Sequence, residues 1–97
     1  MKRIVEVHYY IKDGKRDDFY RTLMESGIAD ASRAEEGNEK YEYYYSPDNE
    51  NELLLLEGWK SAETVELHQQ SAHFKQLGEL KKEYVTETAF MRYEIAE

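Results

Sequence analysis

The side chains best suited to move a proton in this sequence are His68 and His73, with the carboxyl of Glu57 as a third candidate. An imidazole titrates near neutrality, so a modest change of surroundings poises it as a general base. His68 falls on the inner face of a short helical pattern, where its other natural role is a hydrogen-bonded core residue. His73 follows Ser71, where its other role is a contact supporting a helix cap. Glu57 and Trp59 are two apart in a strand-like run, so both side chains leave on one face. A carboxylate there must be paired, hydrogen-bonded or used in chemistry, while Trp59 serves as core or as an aromatic wall. Asn38, Tyr43 or Tyr45, Phe74 and Met24 are candidates to line the same cavity.

The two histidines are five positions apart, so one helix would not present both to a metal ion, and no metal site is expected. There is no nucleophile elbow, phosphate loop or dinucleotide fingerprint, and no cysteine. Nucleophilic and nucleotide-dependent chemistry therefore lack support. Without cysteine, packing alone must hold the fold together.

The elements that would position these residues follow from periodicity. Arg3 to Ile11 alternates, with Val5, Val7, Tyr9 and Ile11 on one face and Ile4, Glu6, His8 and Tyr10 on the other, which is a strand. After Asp13-Gly14, the spacing of Phe19, Tyr20, Leu23, Met24, Gly27, Ile28 and Ala31 makes one helical stripe, with Asp17 and Asp18 at its positive end. Glu35-Glu36-Gly37-Asn38 reads as a turn, and Tyr41 to Tyr45 and Leu53 to Trp59 as a hairpin around Pro47-Asp48-Asn49-Glu50-Asn51. Ser61 and Ser71 stand at N-cap positions of two further helices, the second carrying Phe74, Leu77, Leu80 and Tyr84 on one face. Val85 to Ile95 is a last strand, with Ala89, Met91, Tyr93 and Ile95 opposite Phe90 and Arg92. Strand, helix, strand, strand, helical pair, strand is the order of an α+β ferredoxin-like βαββαβ domain with a four-stranded antiparallel sheet.

A chain of 97 residues supports one core and one domain. Its 13 Lys and Arg against 21 Asp and Glu leave a formal charge of -8, which repels nucleic acid and anionic membrane surfaces. Lys15-Arg16 and Lys81-Lys82 lie beside acids, read as solvated helix faces, and are assigned no site. Glu6 and His8 interrupt the apolar start a signal peptide needs, and the longest apolar run, Leu53 to Leu56, is far short of the ~20 residues that span a bilayer. A cytoplasmic, soluble protein is expected. Because the first strand and Tyr43-Tyr44-Tyr45 are apolar or aromatic on both faces, the uncovered sheet face is expected to meet a second copy of the chain in a homodimer.

The motifs carry a more specific likeness. Glu35-Glu36-Gly37-Asn38 with Tyr41-Glu42, then Glu57-Gly58-Trp59-Lys60-Ser61, then His68 with Ser71-Ala72-His73-Phe74, resemble in order and spacing the turn, strand end and helix junction of the antibiotic-biosynthesis-monooxygenase family. The resemblance runs from Val5 to Glu94 and is most specific between Trp59 and Phe74. It implies a dimeric α+β barrel with one pocket per subunit between sheet and helices. It also implies an enzyme without a cofactor, oxidising a small quinol or polycyclic aromatic with dioxygen, in which His68 or His73 is the base. Members of the family also include haem-degrading enzymes and enzymes that process a small phosphorylated signal. The haem branch shares an Asn on the first strand, a helical Trp and a His one turn later, and this chain has Val7, His68 and Gly78 at about those places. A phosphorylated substrate needs a cation in the cavity, for which Arg33 and Arg92 are the candidates. The remaining alternative is a non-catalytic dimeric ligand-binding domain.

Overall fold

The structure, a computed structural model, describes residues 1–96. Its elements are β1 (Lys2–Ile11), α1 (Arg16–Ser26), α2 (Ile28–Arg33), β2 (Asn38–Tyr45), β3 (Glu52–Trp59), α3 (Ala62–Gln69), α4 (Ala72–Tyr84) and β4 (Val85–Ile95). The strands form one antiparallel sheet in the order β2-β3-β1-β4, the ferredoxin-like arrangement. None of its helices is long and apolar enough to cross a membrane, among the described residues.

Alternation along β1 decides which face the helices cover. Val5, Val7, Tyr9 and Ile11 are buried, and register places Glu57, Leu55 and Leu53 of β3 beside the first three. The same pleat puts Arg92, Phe90 and Thr88 of β4 on that face. Phe19 and Leu23 of α1, Ile28 of α2 and Leu77 of α4 close over the sheet, with Trp59 fully buried at the end of β3. Each such side chain contributes roughly 1.5–3 kcal/mol by leaving water.

The stripe from Phe19 to Ala31 is broken where the sequence predicts one helix. Gly27 adopts φ 80°, a left-handed conformation that ends α1 and redirects the chain into α2. Ile28 still reaches the core, but the change of direction buries Ala29 and Ser32 beside it instead of the expected Ala31, against β2 and α4.

The other face of the sheet carries Ile4, Leu54 and Leu56, half-buried, with Met91, Tyr93 and Ile95 exposed. His8 sits among them, its Nε2 2.6 Å from Glu6 Oε2 and its Nδ1 2.6 Å from Glu52 Oε2. Those hydrogen bonds, Glu6 first, hold the His8 pKa above its ordinary value.

Candidate functional site

Two local devices bring the histidines together. Ser61 and Thr64 form a reciprocal capping box that starts α3. Ser71 then accepts from the Phe74 N–H at 3.1 Å to start α4 and donates to the His68 carbonyl at 2.7 Å. The chain thus turns sharply between His68, near the end of α3, and His73, in the first turn of α4. Their ring centroids lie 5.6 Å apart. The spacing of five does exclude a single helix, but a break between two helices juxtaposes the rings instead.

Glu35 joins them from the turn before β2. Its Oε2 lies 2.5 Å from His68 Nδ1 and 2.8 Å from His73 Nε2. Gly37 makes this approach possible, because its φ is +92° and a Cβ built there would stand 2.4 Å from Thr64 Cγ2. Only glycine lets the turn lie against the first turn of α3, where the Gly37 carbonyl also accepts from the Lys60 N–H at 2.8 Å.

A carboxylate oxygen only accepts, so the His68 nitrogen facing Glu35 carries the proton. His68 is therefore the Nδ1–H tautomer, and Nε2 keeps its lone pair. Burial is the largest influence on the ring and lowers its pKa against the opposing pull of Glu35, which favours the neutral imidazole a base requires. The ring packs against Trp59 with centroids 4.8 Å apart and planes tilted by 38°, and meets Phe74 edge-on at 5.3 Å. Among the described residues Nε2 has no hydrogen-bond partner, and His68 lines a cavity of about 220 Å³ over β1 and β4.

Glu57 lines the same cavity. It is buried, and one oxygen accepts from the Trp59 indole N–H at 2.9 Å. Burial pushes its pKa up to about 7, the Trp59 hydrogen bond pulls it down, and the charge of Glu35 adds a further upward push. Near neutral pH the site therefore holds a neutral base and a carboxyl poised between its acid and its conjugate base. Much of the rest of the wall is apolar, with Val5, Val7 and Tyr9 of β1, Phe90 of β4, Val65 of α3 and Phe74 of α4. The volume exceeds the ~150 Å³ of an apolar cavity that takes benzene and falls below the ~300 Å³ of a drug-sized pocket. One or two fused rings fit that space.

Of the residues expected at the site, His68, Glu57 and Phe74 line the cavity, while His73 does not and is joined to His68 by the Glu35 oxygen they share. Trp59 lies beneath His68 as its support. Asn38, Tyr43 and Tyr45 do not line this cavity. Asn38 Nδ2 donates to the Lys40 and Gly58 carbonyls and closes the start of the hairpin. Tyr43 and Tyr45 pack edge-on against Tyr20 of α1, and Tyr45 donates to Asp17. The reason is lateral: β2 is the sheet edge covered by α1 and α2, while the cavity opens over β1 and β4 on the other side. Met24 packs against the core for the same reason. Arg33 is likewise on the wrong side, donating to the Tyr41 carbonyl, whereas Arg92 does line the cavity.

Glu35 and Lys81 are functional candidates that residue type and spacing alone do not single out. Glu35 stands in the turn motif, but nothing local says that a turn 33 positions earlier meets His68. Glu35, His68 and His73 also place three ligand atoms within 4.8 Å of one another, the composition of a two-histidine, one-carboxylate metal site. One oxygen hydrogen-bonded to both rings satisfies all three groups, and an ion would have to displace both bonds.

Comparison with known proteins bears on the family and the fold. The family model described as "Antibiotic biosynthesis monooxygenase" matches residues 3–80. A Bacillus subtilis (strain 168) protein, "Putative monooxygenase YcnE", is 31% identical over 72 residues, 74% of each chain. A conserved protein from Methanosarcina mazei Go1 has a similar structure, with a TM-score of 0.88 and 28% identity over 99% of this chain and 94% of that one. A "Putative antibiotic biosynthesis monooxygenase from Nitrosomonas europaea" superposes with a TM-score of 0.86 at 19% identity, covering 98% and 99% of the two chains, a likeness of fold alone. With its family model matched across both the Glu35 turn and the His68–His73 junction, this chain belongs to the antibiotic biosynthesis monooxygenase family.

Proposed function

We propose that this protein is a homodimeric, cofactor-independent monooxygenase that oxidises a small quinol with dioxygen. His68 Nε2 takes the proton of a phenolic hydroxyl, and the electron-rich anion passes electrons to oxygen over the apolar side chains of Val5, Val7 and Phe90. One oxygen atom enters the ring and the other leaves as water, so a benzene-type quinol and one O2 give a hydroxyquinone and one H2O. Glu57, with its proton still held near neutral pH, supplies a proton to the departing oxygen. The observation that carries the reading is the hydrogen bond between Glu35 and the buried His68 at 2.5 Å, which leaves an unprotonated nitrogen on a ring that lines the cavity. The cavity volume favours one or two rings over larger polycyclic substrates.

The dimer belongs to the same proposal. The back of the sheet carries Ile4, Leu54, Leu56, Met91, Tyr93 and Ile95, a patch that a second copy would cover around a two-fold axis.

The test is oxygen uptake by the purified protein with a panel of reduced quinols and anthrones. Loss of a general base costs about 10²–10⁴-fold in rate, and His68→Ala is expected to fall in that range while His73→Ala loses less. Uptake that is absent in the parent protein, or unchanged in His68→Ala, removes the proposal.

A further inference from the structure

The cavity wall contains two cations that its chemistry, as proposed above, does not use. Lys81 and Arg92 both line it. Neither is ion-paired among the described residues, in a chain of 21 acids and 13 basic side chains. The contrast within α4 is informative, since the neighbouring Lys82 is exposed and bonded to Glu79 at 3.1 Å. Lys81 instead turns inward, its Nζ 5.4 Å from the centroid of the buried Tyr9 ring. Partial burial lowers its pKa. An ammonium held there without a counter-ion is destabilising, and an anionic ligand would offset that cost.

The register of the sheet places the cations at opposite ends of the cavity floor. Arg92 pairs with Val5, whose other neighbour is Glu57, so its backbone flanks the Glu57 end, and its guanidinium lies over Phe90 at 4.7 Å from the ring centroid. Lys81 stands over Tyr9, four residues further along β1 and beside Thr88, roughly 13 Å away at ~3.3 Å per residue. Val7 and Phe90 lie between the two ends and supply an apolar floor. A two-ring body over Val7 and Phe90 would put a reacting hydroxyl at the His68 end and any substituent on the far ring beside Lys81.

We infer that the substrate is a small aromatic molecule carrying a fixed anionic group, a carboxylate, sulfonate or phosphate, anchored by Lys81 at the end of the cavity opposite His68. This rests on the cavity being the substrate site and narrows its substrate class.

Binding of 2-naphthoate and of its neutral analogue 2-naphthamide, measured by titration calorimetry, tests it. The carboxylate should bind the parent protein at least tenfold more tightly than the amide. Lys81→Gln should abolish that preference while leaving the amide's affinity within twofold, with the melting temperature of the variant confirming its fold. His68→Ala should keep the preference while losing oxygen uptake, so a failed oxygenase reading and a failed anion anchor give different results. Equal affinity of the two probes, absence of binding by both at millimolar concentration, a preference that survives Lys81→Gln, or one removed only by Arg92→Gln overturns the assignment.

Discussion

Replacing Glu57 with glutamine separates the charge of this residue from its hydrogen bond. The glutamine carbonyl still accepts from the Trp59 indole N–H, which Glu57 now accepts at 2.9 Å. Only the ability to ionise is lost. In the fold the carboxyl is raised from 4.5 to about 7, chiefly by burial. The folded protein therefore holds a proton that the unfolded chain releases, and this contribution is fully present below about pH 4.5 and lost as pH rises through 7. At ~1.4 kcal/mol per pH unit, the ionised carboxylate costs the parent protein about 3 kcal/mol above pH 8. The amide of the Glu57→Gln variant cannot ionise and escapes that cost. Urea denaturation of Glu57→Gln and parent should give similar midpoints at about pH 4, and the variant should be the more stable at about pH 8.5 by about 3 kcal/mol, or about 2 M urea. Other titrating groups, His8 and His68 among them, occur in both proteins and largely cancel in the difference. A stability difference that is the same at both pH values would show that burial does not hold the proton on Glu57.

Three further outcomes follow from particular contacts. Gly37→Ala forces a left-handed conformation on alanine and drives a methyl into Thr64, so it should destabilise by about 2–4 kcal/mol in denaturant melts and separate Glu35 from His68; an effect under about 0.5 kcal/mol would refute the close approach. The Tyr43 hydroxyl is buried without a hydrogen-bond partner among the described residues, so Tyr43→Phe should leave stability unchanged or raise it by about 1 kcal/mol; a clear loss would show a partner there. Met91→Glu places a charge on the back of the sheet, where Met91 is 54% exposed in the single chain. In sedimentation equilibrium at micromolar concentration the parent should run at twice the chain mass and the variant at the chain mass, and a parent that runs as a single chain would contradict the dimer.

The architecture was legible because alternation in Val5 to Ile11 reports directly on a half-buried sheet, β-branched and aromatic residues mark Val85 to Ile95 as a strand, and the serine caps mark both later helices. Less visible was the break at Gly27, since the apolar spacing runs on in the sequence to Ala31 and a glycine inside a helical pattern carries no sign of its φ. At the site, residue type and face picked out His68 and Glu57 as candidates, and both line the cavity. Glu35, the partner of His68 and His73, was not picked out, because long-range pairing leaves no local periodicity. Nor was Lys81, whose place beside Lys82 and Glu83 reads as a solvated face while its side chain turns onto Tyr9. Assigning Tyr43 and Tyr45 to the cavity took the correct face of the sheet but not the lateral position, which depends on strand order.

The central claim is that Glu35 fixes His68, a residue of the cavity wall, as a neutral imidazole whose Nε2 carries no proton. Long-range ¹H–¹⁵N correlation spectra of the imidazole nitrogens in the intact protein at neutral pH test this directly. His68 should show a protonated Nδ1 and an unprotonated Nε2, and Glu35→Ala should shift the ring toward the other tautomer or a mixture. A His68 that is doubly protonated at neutral pH, or that carries its proton on Nε2 with Glu35 intact, would contradict the account.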